Sequence, residues 1–223
     1  MSPITHFFAG WVLASVSPVP LTRREKALVV AAAVAPDIDG LGLVPELLTR
    51  HSAHPLLWYS QYHHTLHTLV FAVICALAAF FFDLPFRSFT FEPKIQSPCL
   101  DQSGLHRGES HKPADTHLWM TTILVFLSFH LHLICDLVGA RGPDGDQWPI
   151  PYLKPFSNAI QLTWNGQWAL NGWQNFAITG VLLVATFWTA WKYGSSPVEL
   201  VSESANESLV SALRRRISSN AAP

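Results

Sequence analysis

The chain has 223 residues, of which 13 % are charged, against about 25 % in soluble domains. Hydrophobic residues make up 49 %, and the mean hydropathy is +0.24. A net charge of −1 excludes the basic field of a nucleic-acid binder, and the wealth of aliphatic and aromatic residues excludes disorder for the bulk of the chain. The composition is that of a membrane protein.

Phe7 to Val16 and Ala27 to Ala35 are short apolar segments, separated by Pro18, Pro20 and the charged group Arg23-Arg24-Glu25-Lys26. They read as a helical hairpin, partly immersed or packed on other helices. Leu66 to Phe82 is apolar apart from His67 and Thr68, and Phe176 to Trp191 is broken only by Thr and Gly. Leu118 to Val138 is long enough for a full span of roughly 20 residues, whereas the other two reach that length only with flanking residues. The expected fold is therefore all-α: an integral membrane helical bundle with about three spanning helices plus the N-terminal hairpin. Residues 1–192 form the membrane-embedded domain, with 84–117 a polar cytoplasmic loop. Residues 139–173 are rich in Gly, Pro, Asn and Trp. Residues 193–223 read as a polar, largely flexible tail, with one short helix from near Asn206 to Arg214-Arg215-Arg216. Leu209, Leu213 and Ile217 give that helix an apolar stripe.

Cys75, Cys99 and Cys135 cannot close a disulfide framework. Two of them sit in apolar runs, where cysteine acts as a small hydrophobe. The first positive charge is Arg23, so a cleaved signal peptide is not expected and His6 stays on the chain.

If each apolar segment reverses the chain direction, the N-terminus, 36–61 and 139–173 share one side of the membrane. Only Arg50, Arg141 and Lys154 of the 14 Lys/Arg fall there. The positive-inside bias makes the other side cytoplasmic, with the C-terminus on it. Tryptophans near both ends of the runs, Trp119, Trp188 and Trp191 against Trp58, Trp164, Trp168 and Trp173, fit interfacial belts.

Ionisable groups at membrane depth are costly and mark function. This topology brings His6, Asp37, Asp39, His63, His64, His67, His132 and Asp136 to the extracytoplasmic end. His132 and Asp136 are spaced i, i+4 and share a helix face, as do His63 and His67. Pro36-Asp37-Ile38-Asp39-Gly40 places two carboxylates in one turn. Imidazole with carboxylate and no thiolate suits zinc or another first-row divalent ion in a hydrolytic role. Each signal taken singly has an ordinary structural reading, a buried His–Asp pair or a loop Asp-x-Asp. Their convergence on one end of an apolar chain favours the metal site, and the donor number favours more than one ion. His51, His54, His106, His111 and His117 are set apart from it.

Thr5-His6 with Gly10, Pro36-Asp37-Ile38-Asp39, Tyr62 to Thr68, His132-x-x-x-Asp136 and Gly145 to Trp148-Pro149 occur in this order. Over residues 1 to about 192 the pattern resembles the YdjM-type family of predicted membrane-bound metal-dependent hydrolases. That family is distantly similar to zinc-dependent phospholipases C and S1/P1-type nucleases, all-helical enzymes with a His-x-x-x-Asp zinc element. The resemblance departs at one point: His64 stands where the family has an arginine able to bind a phosphate oxygen, and His67 follows one residue early. No extra glutamate ligand of the soluble phospholipase kind is found.

The resulting expectation is a membrane-bound hydrolase of a phosphoester, such as one carried on a membrane lipid, using one to three divalent ions, with zinc the first choice. His6, Asp37, Asp39, His63, His67, His132 and Asp136 are the expected ligands. Asp39 is also the expected proton acceptor, and His64 a substrate contact. Two non-enzymatic alternatives stand beside it: a b-type haem protein with His67 and His132 as axial ligands, and a scaffold with a vestigial metal site.

Overall fold

A computed structural model describes residues 1–59, 64–89, 114–142 and 145–219. Helix α1, Pro3–Ser15, starts where the Ser2 hydroxyl accepts the Thr5 N–H at 3.3 Å, with Pro3 at a position that needs no donor. Helix α2, Arg23–Val34, opens on a capping box. Thr22 Oγ1 accepts the Glu25 N–H at 3.2 Å, and Glu25 Oε2 accepts the Thr22 N–H at 2.6 Å. The two helices form the expected hairpin. They approach closely because Gly10 carries no side chain: a Cβ there would lie 2.6 Å from the Cβ of Ala33.

A 3-10 turn, Ala35–Gly42, follows α2 directly and runs into α3, Leu43–Thr49. Pro36 sits in its first turn, where a missing N–H breaks no bond, so the chain continues helically instead of stopping. Three helical stretches are long and apolar enough to cross a membrane: Arg23–Thr49, Thr116–Gly139 and Trp173–Tyr193. Leu69–Asp83 is a shorter apolar stretch within α4, Leu69–Phe89. The number of spans is as the sequence implies, but Arg23–Thr49 qualifies where only a short hairpin arm was expected.

Helix α5, Ala114–Gly139, is the axis of the bundle and touches α1, α2 and α4. Ala14, Val29, Ala32, Ala76, Ala79, Leu124 and Val125 form one buried cluster around it, and Ala72, Phe129, Leu133 and Ile150 a second. Alanine is the commonest residue of the first, which lets helix backbones approach where lipid gives no hydrophobic drive to association. Helix α6, Trp173–Tyr193, packs on α1 and turns Phe176, Val181 and Val184 outward. Such exposed apolar faces are what a bilayer covers.

Polar ends differ from the expected loop and tail. Residues 84–89 and 114–117 belong to helices α4 and α5, so the polar stretch placed at 84–117 is helical at both its margins. His106 and His111 lie outside the described residues. Helix α7, Glu203–Ser219, is longer than the short helix expected near Asn206. It docks through Asn206, whose Oδ1 accepts the Ser196 N–H at 2.8 Å and whose Nδ2 donates to the Gly194 carbonyl at 3.1 Å.

Candidate metal centre

The segment after α5 folds back over the end of the bundle. Trp168 N–H donates to the Val138 carbonyl, and Arg141 N–H to the Trp168 carbonyl. Gln167 Nε2 donates to the backbone carbonyl of Asp136 at 2.9 Å. Asn175, in the first turn of α6, donates to the carbonyls of Gly139 and Leu170 and accepts the Trp168 indole N–H. These bonds fix the end of the helix that carries His132 and Asp136.

Beneath that cover, one ligand atom from each of His6, Asp37, His132 and Asp136 lies within 4.8 Å of the others. His6 Nε2 is 3.1 Å from Asp136 Oδ1, and His132 Nε2 is 3.1 Å from Asp136 Oδ2. The His6 and His132 rings stack with centroids 3.8 Å apart. His67 joins from the turn before α4: its Nε2 is 3.3 Å from Asp136 Oδ2 and 3.2 Å from His132 Nε2. Its Nδ1 is 3.4 Å from Asp39 Oδ2, which also accepts the Leu66 N–H. The amino group of Met1 pairs with Asp136 as well.

The donor set fits a divalent ion. Tetrahedral zinc with bonds of about 2.0–2.1 Å separates neighbouring ligand atoms by about 3.3 Å, close to the spacings found here. His132 Nδ1 is 2.8 Å from the carbonyl of Ala33, which can only accept, so Nδ1 carries the hydrogen and Nε2 turns a lone pair to the cluster. That lone pair faces a carboxylate oxygen at 3.1 Å. Two acceptors this close need a positive charge between them, a proton or a metal ion. Asp37 Oδ2 and His6 Nδ1 are buried with no hydrogen-bond partner among the described residues, so the Asp37 carboxylate keeps an unmet lone pair in the cluster.

His67 lies ahead of α4, and its imidazole pKa is pushed up to about 9. Burial works against the charged ring, but the hydrogen bonds to Asp136 and Asp39 and their charges outweigh it.

A cavity of about 370 Å³ opens over the cluster, bounded by Asp37, Asp39, His64, His67, Asp136 and Trp148 among others. His64 adopts φ +74°, a left-handed conformation that costs a non-glycine residue energy and recurs at functional sites. Its ring packs edge-on against His67 and Trp148, with centroids 4.6 and 5.6 Å away. Of the eight residues singled out in the sequence, seven lie in the cluster or on the cleft above it, and His63 lies outside the described residues. His51 and His54 are exposed elsewhere. Sequence reading missed Ala33, whose carbonyl orients His132, and Gln167, which holds Asp136 in place. A backbone acceptor leaves no signature in residue types, and a single Gln in a loop has none either.

The carboxylates of Asp37, Asp39 and Asp136 within reach of these rings suit a divalent ion better than the b-type haem of the alternative reading, which has no use for them.

A family model described as YdjM inner membrane protein matches residues 1–202. The chain belongs to this family. Membership in a family of inner membrane proteins agrees with the three candidate spans. Comparison with curated proteins and with solved structures finds no match.

Proposed function

We propose that this YdjM-family member is a membrane-bound, metal-dependent hydrolase of phosphoesters. The observation that carries the reading is the buried meeting of three imidazoles and three carboxylates from four segments of the chain at the floor of one cleft. His6, Asp37, His132 and Asp136 would hold a divalent ion, with His67 and Asp39 beside them. When bound, such an ion supplies Lewis acidity to a phosphoryl oxygen and makes water nucleophilic near neutral pH. The donor types, imidazole and carboxylate without thiolate, favour zinc or another first-row divalent ion.

The chain's own residues do the rest. Ala33 holds the His132 ring in one tautomer, and Asp136 ties His6, His67 and His132 into a single constellation. Asp39, on the cleft wall and 3.4 Å from His67 Nδ1, takes the proton of the attacking water, with His67 holding its carboxylate in place. His64 and Trp148 form the wall against which a substrate rests. The cleft lies at one end of apolar helices, which favours a phosphoester carried on a membrane lipid. The charge bias of the flanking segments favours an extracytoplasmic cleft and a cytoplasmic C-terminus.

The test is phosphoester hydrolysis by protein in phospholipid nanodiscs with added zinc, wild type beside Asp39→Asn. Loss of a proton acceptor is expected to slow turnover about 10²-fold or more with metal content retained. No metal-dependent turnover of any phosphoester by the zinc-loaded wild type would favour the scaffold with a vestigial site.

A further inference from the structure

Arg141 is one of three Lys/Arg residues in the segments expected on the cleft's side of the membrane. Its backbone is pinned on both sides: the N–H donates to Trp168, and the carbonyl accepts from Leu170. One guanidinium nitrogen, Nη2, donates to the Asn165 carbonyl at 2.9 Å. Nε is buried and has no hydrogen-bond partner among the described residues. None of the carboxylates of the described residues forms an ion pair with this guanidinium. A buried donor with no partner among the described residues is costly to leave unmet. The guanidinium fork matches the oxygens of a phosphate.

Arg141 lines a cavity of about 400 Å³ between the start of α1 and the first turns of α6, together with Ser2, Leu170, Asn171, Phe176 and Thr179. Its lining thus combines the Arg141 cation with the apolar side chains of Leu170 and Phe176, and Phe176 and the neighbouring Trp173 are exposed at 72 % and 73 %. Both residues belong to a candidate span, so this side meets lipid. The cavity also adjoins the cleft over the metal cluster: Leu170 lines both, and Ser2 of one is the chain neighbour of Met1 in the other.

We propose that this cavity is a phospholipid subsite, in which Arg141 binds the phosphate of an anionic lipid while the Phe176 side receives the upper part of its acyl chains. The subsite would present the headgroup to the adjoining cleft. Only that last role rests on the hydrolase reading; binding itself does not.

The experiment is native mass spectrometry of the detergent-purified full chain with phosphatidylglycerol, carried out after chelation so that metal content plays no part. Wild type is compared with Arg141→Gln and with Asn171→Phe, which keeps the cation and fills the cavity. Both variants are expected to hold phosphatidylglycerol about tenfold or more weakly, at unchanged thermal unfolding temperature. The Asn171→Phe arm decides the matter should Arg141→Gln fold poorly. Water-soluble glycerol phosphate is expected not to displace the lipid. Equal lipid retention in wild type and Asn171→Phe would overturn the subsite. Displacement by glycerol phosphate at matching concentration would overturn the lipid assignment in favour of a soluble phosphoester. Loss of lipid binding with hydrolysis absent from the wild type would leave the subsite standing and remove the hydrolase reading.

Discussion

The Nδ1 of His132 donates to the carbonyl oxygen of Ala33 across 2.8 Å, tying the middle helix of the bundle to the last turn of α2. That bond sets the ring's tautomer, and it depends on how closely α2 is held. Gly10 of α1 governs the approach, since a Cβ there would stand 2.6 Å from Ala33 Cβ and 3.2 Å from Ser128 Oγ. Gly10→Ala is therefore expected to push Ala33 outward and lengthen the His132 bond. Overpacking of this kind costs about 1–3 kcal/mol, and loosening the group that orients a ligand weakens metal affinity about 10-fold or more. Thermal unfolding in detergent and a zinc titration read the two effects. Unchanged values in both would mean that the hairpin does not set the ligand's position.

The metal-free protein is expected to lose stability as the pH rises. The His67 pKa is about 9 in the folded chain against 6.5 for the free side chain. A raised pKa stabilises the fold fully below pH 6.5, and the contribution fades as pH climbs through 9. The upper bound is roughly 3 kcal/mol. Unfolding temperatures of the chelated protein from pH 6 to 9.5 should fall in the wild type and stay flatter in His67→Gln. A wild-type curve that rises over this range contradicts the charged His67 between Asp136 and Asp39.

Asn175 is buried and spends its whole amide on the cover of the site, donating to Gly139 and Leu170 and accepting from Trp168. Asn175→Ala strands these groups, at about 1–3 kcal/mol for each left unsatisfied. Lower thermal stability and a red-shifted tryptophan emission are the expected outcomes, because the Trp168 indole loses its acceptor. An unaltered spectrum would mean the segment is held elsewhere.

Much of the bundle was legible from hydropathy alone, because an apolar run of span length has few folds open to it. The convergence of His6, Asp37, His132 and Asp136 was legible too, since alternating sides of a membrane bring distant segments to one end. What stayed hidden are features set by tertiary contact. Pro36 with Asp37 and Asp39 reads as a break, yet the 3-10 turn carries the helical path through to Thr49. Asn206 looks like any polar residue of a tail until its bonds to Gly194 and Ser196 are seen. Arg141 entered the charge count but carried no motif, and its fixed guanidinium emerges only once Trp168 and Leu170 clamp its backbone.

The measurement that tests the central claim most directly is metal stoichiometry by elemental mass spectrometry on detergent-purified protein. Wild type is compared with the double variant His132→Ala/Asp136→Ala, both offered zinc and then dialysed. One or more equivalents of zinc in the wild type, lost in the folded double variant, is the expected result. A folded wild type that retains no zinc or other divalent ion, or a double variant that retains as much as the wild type, would contradict the metal centre.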